Sequence, residues 1–387
     1  MPVANGFLGR EDFPHEFFFD LGAAFCERCA MPQLVESVPR ERMFNDRYPF
    51  FTSSSARMAA HFEDFAREVM RDRLAERDPF VVEIGSNDGT LLRHFAASGV
   101  RHLGVEPSSN VAAAAEAQGV RVMSRFFGED VAREIARDHG RADVILAANC
   151  FCHVHDLHGL AESIDQLLAA RGVLIFEDPY LGDIIANTAY DQIYDEHVYY
   201  FSVAGVARWL AQYELQIVDI APQHVHGGSM RYTVGRRGIW PVSPSVRAQL
   251  GWEALAGLHR RETYDGFRGR VEKSRESLIG LLRRAKQEGI RVAGYGATSK
   301  STTVLNYCRI TPDLVEFISD TTPLKQGKFS PGMHIPVRPH AEFVSRYPDL
   351  AVLFAWNHAG EVMQKESAFR SAGGKWICYV PEVKVID

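Results

Sequence analysis

Four consecutive residues, Tyr194-Asp195-Glu196-His197, put a phenol, two carboxylates and an imidazole side by side. Removing a proton beside a carbonyl needs a base that titrates near neutral pH, and histidine suits that task. It also needs a donor for the developing enolate oxygen, which a tyrosine or a second histidine supplies. Asn149-Cys150-Phe151-Cys152-His153 offers another imidazole, and Trp356-Asn357-His358 a third polar group, in which Asn357 is expected to bind substrate. A lone histidine can equally be a surface or hydrogen-bonded core residue, so His197 becomes a candidate base only in its context.

Two glycine turns supply that context. The first is Glu83-Ile84-Gly85-Ser86-Asn87-Asp88-Gly89, between an apolar strand and a helix. Glycines let the backbone turn tightly and approach a ligand. Glu106, at the end of the next strand, stands where a carboxylate takes both ribose hydroxyls. The spacing E-x-G-x-x-x-G favours a nucleoside without a pyrophosphate, such as S-adenosylmethionine, over a dinucleotide. Phe126-Phe127 can flank an adenine, and Ala147-Ala148-Asn149 ends the fourth strand, where ligands sit in open α/β sheets. The competing reading is a turn that only packs a helix on its sheet.

The second turn, Gly294-Tyr295-Gly296-Ala297-Thr298-Ser299-Lys300, sets hydroxyls and a cation at a helix N-terminus, an anion-binding place. Asp320 ends the following strand in the ribose-carboxylate position. A phosphate-bearing ligand is expected here; the alternative is a capped helix whose Lys300 faces water. Two nucleoside-type sites imply a cofactor in one domain and a nucleotide-linked substrate in the other.

These turns need sheets behind them. From a strand at 80–84, strands and helices alternate: 89–97, 102–105, 109–117, 120–123, 129–139, 143–147, 157–170 and 172–177. Apolar strands in strict alternation with helices mean a parallel sheet covered on both faces. A helix over 56–77 precedes them. A mixed stretch follows Pro179, with a helix over 201–213 and strands over 216–220 and 230–235. One long helix is expected over 253–288 before a second α/β unit: strand 290–294, helix 299–307, strands 314–319 and 350–355, helix 359–371 and strand 376–380. The first 50 residues, with five prolines and Cys26-Glu-Arg-Cys29, read as a small loop-rich unit.

Composition narrows the classes. A chain of 387 residues has room for two or three domains. A net charge of −6 with mixed signs argues against phosphate-held nucleic-acid binding. A hydrophobic content of 46% argues against wholesale disorder, and no apolar run is long enough to span a membrane. No secretory signal is visible, and six cysteines are too few for a disulfide scaffold, so a reduced, cytoplasmic protein is expected. Cys150, Cys152, Cys308 and Cys378 are expected as small residues buried in the α/β cores.

Taken together, Cys26-x-x-Cys29-x-Met31-x-Gln33-Leu34, Tyr48-Pro49, the first glycine turn, Gly104-Val105-Glu106-Pro107-Ser108, Phe176-Glu177-Asp178-Pro179-Tyr180, Ile193 to His197, His226-Gly227-Gly228-x-x-Arg231-Tyr232, the second glycine turn and Ala355-Trp356-Asn357-His358 carry a resemblance over essentially the whole chain. The sequence resembles the S-adenosylmethionine-dependent sugar C-methyltransferases, notably the nucleotide-linked 4-keto-deoxysugar C-3-methyltransferases of antibiotic biosynthesis.

The resemblance implies a class I methyltransferase (Rossmann-like) α/β domain over 53–238 and a second Rossmann-like, nucleotide-sugar-binding domain over 239–387. It implies a zinc-module-like segment, cut short, over 1–52. It implies methyl transfer to a ring carbon, C-3, of a dTDP-linked 4-keto-deoxysugar after a base has removed the neighbouring proton, by a cytoplasmic monomer. His197 would be the base, with Tyr194, Glu196, Tyr48 and His153 around the reacting sugar. Glu83, Gly85, Asn87, Gly89, Glu106, Pro107, Phe127 and Asn149 would hold the cofactor. Tyr180, His226, Arg231, Gly296, Lys300, Asp320 and Asn357 would hold the substrate. Cys26 and Cys29 would be zinc ligands, but the family uses two C-x-x-C pairs, and the first would lie upstream of Met1. Either the chain lacks its first residues or the site is lost. An O- or N-methyltransferase on a related sugar, or a non-catalytic nucleotide-sugar-binding protein, are the other readings.

Overall fold

The computed structural model describes residues 1–74 and 78–387. The N-terminal stretch forms a hairpin of β1 (Ala23–Cys26) and β2 (Met31–Leu34), then one helical turn, α1 (Arg40–Met43). It is not a separate body: Met31 packs into the core of the first domain, and Phe7 and Leu34 into that of the second.

Helix α2 (Ala56–Arg73) starts at Ser55, whose hydroxyl accepts the Met58 N–H. The last residues of the helix expected over 56–77 lie outside the described residues. The alternation then runs β3 (Phe80–Ile84), α3 (Leu92–Ala97), β4 (Arg101–Val105), α4 (Ser109–Glu116), β5 (Val122–Met123), α5 (Glu129–His139), β6 (Ala142–Ala148), α6 (Leu157–Leu167) and β7 (Leu168–Pro179). After α7 (Leu181–Ala186) and α8 (Val203–Leu210), the antiparallel pair β8 (Leu215–Gln223) and β9 (Ser229–Arg236) completes a seven-stranded sheet in the order β5-β4-β3-β6-β7-β9-β8. This is the Rossmann-like class I methyltransferase order. Period-two alternation serves both faces: Val82, Ile84, Ile145 and Ala147 enter one core, Val81, Val144 and Leu146 the other. Strand order reverses between β3 and β6, which opens a crevice at their carboxyl ends.

The second domain begins with α9 (Pro244–Ala256) and α10 (Arg261–Gln287). The single helix expected over 253–288 is therefore two. Gly257 adopts a left-handed conformation (φ 69°) that closes α9, and the chain turns before α10 begins. Phe267, Val271, Leu278 and Leu282 keep helical spacing within α10, and the break at 257–260 lies upstream of them. Then follow β10 (Val292–Tyr295), α11 (Ser299–Cys308), β11 (Ile318–Asp320), β12 (Val337–Pro339), α12 (His340–Ser345), β13 (Leu350–Leu353), α13 (Ala359–Lys365), α14 (Ser367–Ser371), β14 (Lys375–Cys378) and β15 (Lys384–Ile386). Their sheet has the order β12-β11-β10-β13-β14-β15, parallel except β15. The helix expected over 359–371 is interrupted at Glu366, whose buried carboxylate takes the Tyr295 hydroxyl and the His340 ring. Here too the order reverses at the glycine turn, between β10 and β13. No helix among the described residues is long and apolar enough to cross a membrane.

Candidate active site

The carboxyl ends of both sheets open into one cavity of about 860 Å³, closed on a third side by residues of the N-terminal stretch. Glu83, Gly85, Asn87, Glu106, Pro107, Phe126, Phe127 and Asn149 line its first end. Gly85 has a φ of +71°, and a Cβ there would lie 2.6 Å from the Cys150 sulfur, so only glycine fits. Glu106 accepts the Asn87 and Ser108 N–H groups at 3.0 and 2.8 Å. Burial pushes its carboxyl up, and those two bonds oppose the shift. Burial, with the charges of Asp88 and Glu106 nearby, pushes the Glu83 carboxyl well up. Among the described residues Glu83 Oε2 and Asn149 Oδ1 are buried without a partner. Orphaned acceptors beside a glycine cradle and a carboxylate suit a ligand with ribose hydroxyls and an amino group. Gly89 does not line the cavity: a Cβ there would meet Ala115 at 2.9 Å, so it brings α4 close to the turn.

Tyr48, His153, Tyr194, Glu196 and His197 line the middle of the cavity. His197 Nδ1 lies 2.9 Å from the Gln192 carbonyl, so it carries the proton, and Nε2 accepts the Tyr194 hydroxyl at 2.7 Å. Burial, and the charges of His153 and Lys300, hold this imidazole well below its usual range, so it is neutral. Burial alone takes His153 down to about 4. The His153 ring stacks between His197, at 5.4 Å, and Phe44, at 5.6 Å. Cys152, His153 and His197 hold ligand-type atoms within 4.8 Å of one another, but Gln192 and Tyr194 already occupy both nitrogens of His197.

His226, Thr298, Ser299, Lys300, Lys325, Asn357 and His358 line the far end. Thr298 caps α11 by accepting the Ser301 N–H. Burial lowers Lys300, against the charges of Asp191 and Glu196, and takes His226 down to about 3. A desolvated ammonium at a helix N-terminus is a strong anion site.

Four residues expected to hold substrate stand elsewhere. The Tyr180 hydroxyl donates to Glu253 at 2.8 Å and accepts from Gln249, so it ties α9 to the end of β7. Arg231 pairs with Glu177 at 3.0 Å and Glu68 at 2.7 Å, inside the sheet. Asp320 does not line the cavity; like Glu106 it takes one backbone N–H on each oxygen, here those of Ala297 and Thr322, and so braces the glycine turn. Gly296, at φ +91°, shapes that turn against Ala355 without lining the cavity. Of the cysteines, Cys308 and Cys378 are core residues, but Cys150 is only partly buried and lines the cavity. Sequence reasoning missed Asn5, Phe44, Gln192 and Lys325, which lie in unremarkable local sequence.

Cys26 ends β1 and Cys29 stands in the turn between β1 and β2. Among the described residues no third ligand-type side chain groups with them, so they supply two of the four positions a structural zinc takes. A complete zinc site does not fit these residues.

The family described as C-methyltransferase C-terminal domain matches residues 224–381, that described as methyltransferase domain 58–220, and that described as putative zinc binding domain 1–44. The C-methyltransferase NovU of Streptomyces niveus is 34% identical over 389 residues, covering 100% of this chain and 92% of its own. Two solved structures share weaker likeness. A methyltransferase from Anabaena variabilis is 14% identical, with a TM-score of 0.37 over 45% of this chain and 84% of its own. One from Clostridium acetobutylicum is 13% identical, with a TM-score of 0.35 over 46% and 92%.

Proposed function

From the fact that the chain belongs to the S-adenosylmethionine-dependent C-methyltransferases, we propose that it methylates C-3 of a dTDP-linked 4-keto-deoxysugar, in deoxysugar and antibiotic biosynthesis. The observation that carries this reading is the single cavity, with a nucleoside cradle at one end, an anion site at the other and a neutral imidazole between. Residues 1–52, 53–238 and 239–387 act as cap, methyl-donor domain and nucleotide-sugar domain. The cytoplasm and a monomeric state suit an enzyme whose cavity one chain completes.

When bound, the cofactor supplies an electrophilic methyl group. Glu106 holds its ribose, and Glu83 and Asn149 present acceptors to its remaining donors. Lys300, with the α11 N-terminus, neutralises the diphosphate of the substrate. Tyr48, His153 and Glu196 line the sugar. His197 Nε2 is the atom that takes the proton from C-3, because Nδ1 is already protonated toward Gln192. The Tyr194 hydroxyl, which rests on Nε2, turns to donate to the 4-keto oxygen as the enolate forms. C-3 of that enolate would then bond to the methyl carbon as the methyl–sulfur bond breaks, leaving S-adenosylhomocysteine. The α-C–H is a weak acid, so base and donor must act together.

The test is incubation with S-adenosylmethionine and a panel of nucleotide-linked 4-keto-sugars in deuterated water, read by mass spectrometry and NMR. A C–CH₃ product, with solvent deuterium entering C-3 when the cofactor is withheld, is expected. An O- or N-methyl product without that exchange would overturn the reading.

A further inference from the structure

We propose that the first residues of the chain are part of the active site, and that Asn5 is a positioning residue for the Glu196 carboxylate. The inference rests on reading the cavity as the site of C-methylation. Asp195 and Glu196 are adjacent, both buried, and sit in an irregular loop that supplies no regular backbone partners for their side chains. Among the described residues, every hydrogen-bond donor they find outside their own loop comes from the N-terminal stretch. The Ala4 N–H donates to Asp195 Oδ1 at 2.8 Å, the Asn5 amide to Glu196 Oε1 at 2.6 Å, and the Tyr48 hydroxyl approaches Glu196 Oε2 at 3.4 Å. Asp195 Oδ2 has no partner among the described residues.

The segment that delivers Asn5 is itself fixed. The Met1 amine donates to the Phe19 carbonyl, and Pro2 bridges Phe18. The Ala4 carbonyl accepts the Thr302 hydroxyl of α11 at 2.7 Å, and Leu8 pairs with Phe329 of the second domain. The strap therefore crosses the catalytic loop while anchored to the nucleotide-sugar domain. Asn5 lines the cavity beside Glu196.

A short amide bond to a carboxylate fixes its rotamer and favours its ionised form. Glu196 is faced by Asp195, Tyr48, Tyr194 and Cys152 as well as by Lys300 and Lys325. Without Asn5 the carboxylate loses the bond that fixes its rotamer in the cavity. Burial already pushes Glu196 up, and the Asn5 bond is the largest force opposing that shift. Its removal raises the pH at which Glu196 ionises.

The experiment is a double-mutant cycle on the full chain. Asn5→Ala should lower kcat/KM for the nucleotide sugar by between about tenfold and a hundredfold, the range for one hydrogen bond to a charged group. S-adenosylmethionine affinity should stay unchanged. The acid limb of kcat/KM should move to higher pH in Asn5→Ala, and further in Asn5→Asp, which sets a second carboxylate against Glu196. In a Glu196→Gln background Asn5→Ala should add little. Losses that are equal in both backgrounds, or an unmoved acid limb, overturn the proposal. The Glu196 carboxyl titration, identified as the ¹³C signal lost in Glu196→Gln, separates the two readings. If the wild type methylates no 4-keto-sugar but that titration still rises in Asn5→Ala, the reaction is wrong and the strap stands; a titration that does not move sinks the strap.

Discussion

Replacing Arg231 by methionine distinguishes a structural residue from a substrate ligand. Arg231 lies on β9 opposite Glu177 of β7, and its Nε donates to a carboxylate that is fully buried. Its Nη1 reaches Glu68, and the guanidinium lies 3.6 Å from the centroid of the Phe65 ring. Burial pushes the Glu177 carboxyl up, but the His61 bond and the Arg231 charge overcome this and hold it below the usual range. Without Arg231, Glu177 keeps only the His61 contact at 2.6 Å as a side-chain partner among the described residues. Breaking a buried pair from one side costs about 3–5 kcal/mol. At roughly 2–4 °C per kcal/mol for a domain of this size, Tm should fall by about 6–20 °C. A depressed carboxyl stabilises the fold above its unfolded pKa and loses that contribution as pH falls through its folded value, so the difference from wild type should shrink only in acid. The assay is thermal unfolding followed by near-ultraviolet circular dichroism, with KM for the nucleotide sugar measured below the transition. Replacing Glu177 by leucine in the same chain should restore much of the loss. An unchanged Tm together with a KM raised more than tenfold would refute the structural assignment and return Arg231 to the substrate.

Four further outcomes are expected. His197→Asn should lower the rate by roughly 10²–10⁴ and abolish deuterium entry at C-3, with cofactor binding intact; exchange at the wild-type rate would transfer the base to His153. Glu106→Ala should weaken S-adenosylmethionine binding by about 1.5–3 kcal/mol in calorimetric titration; an unchanged isotherm removes Glu106 from the cofactor site. His153, taken down to about 4, stays neutral in the fold while the unfolded chain protonates near pH 6.5, so stability should fall as pH drops from 6.5 to 4, by about 3 kcal/mol from this residue; His153→Gln should flatten the curve of Tm against pH, and an identical curve counts against it. Residues 1–387 should retain less than one zinc per chain by elemental analysis, because two thiolates half-fill a tetrahedral site; a full equivalent would demand further ligands.

The sequence by itself determined what depends on neighbours along the chain. Strand and helix alternation follows from short-range apolar period, and the glycine turns at Gly85 and Gly296 follow from conformations that glycine alone adopts cheaply. So the two sheets, their carboxyl-end turns and the carboxylate Glu106 were all legible. The long helix misread over 253–288 shows the limit of that reading, since Gly257 stops α9 while the apolar spacing runs on. Tertiary structure alone decided where side chains spend their hydrogen bonds. Tyr180 and Arg231 stand in motifs that suggested substrate, yet Glu253 and Glu177 claim them first. Asn5 carries no local signal, and it joins Glu196 only because folding closes a loop of more than a hundred residues. Nothing in a residue's own neighbourhood encodes such a contact. It exists because the packing of both cores fixes the distance between segments that the chain keeps far apart.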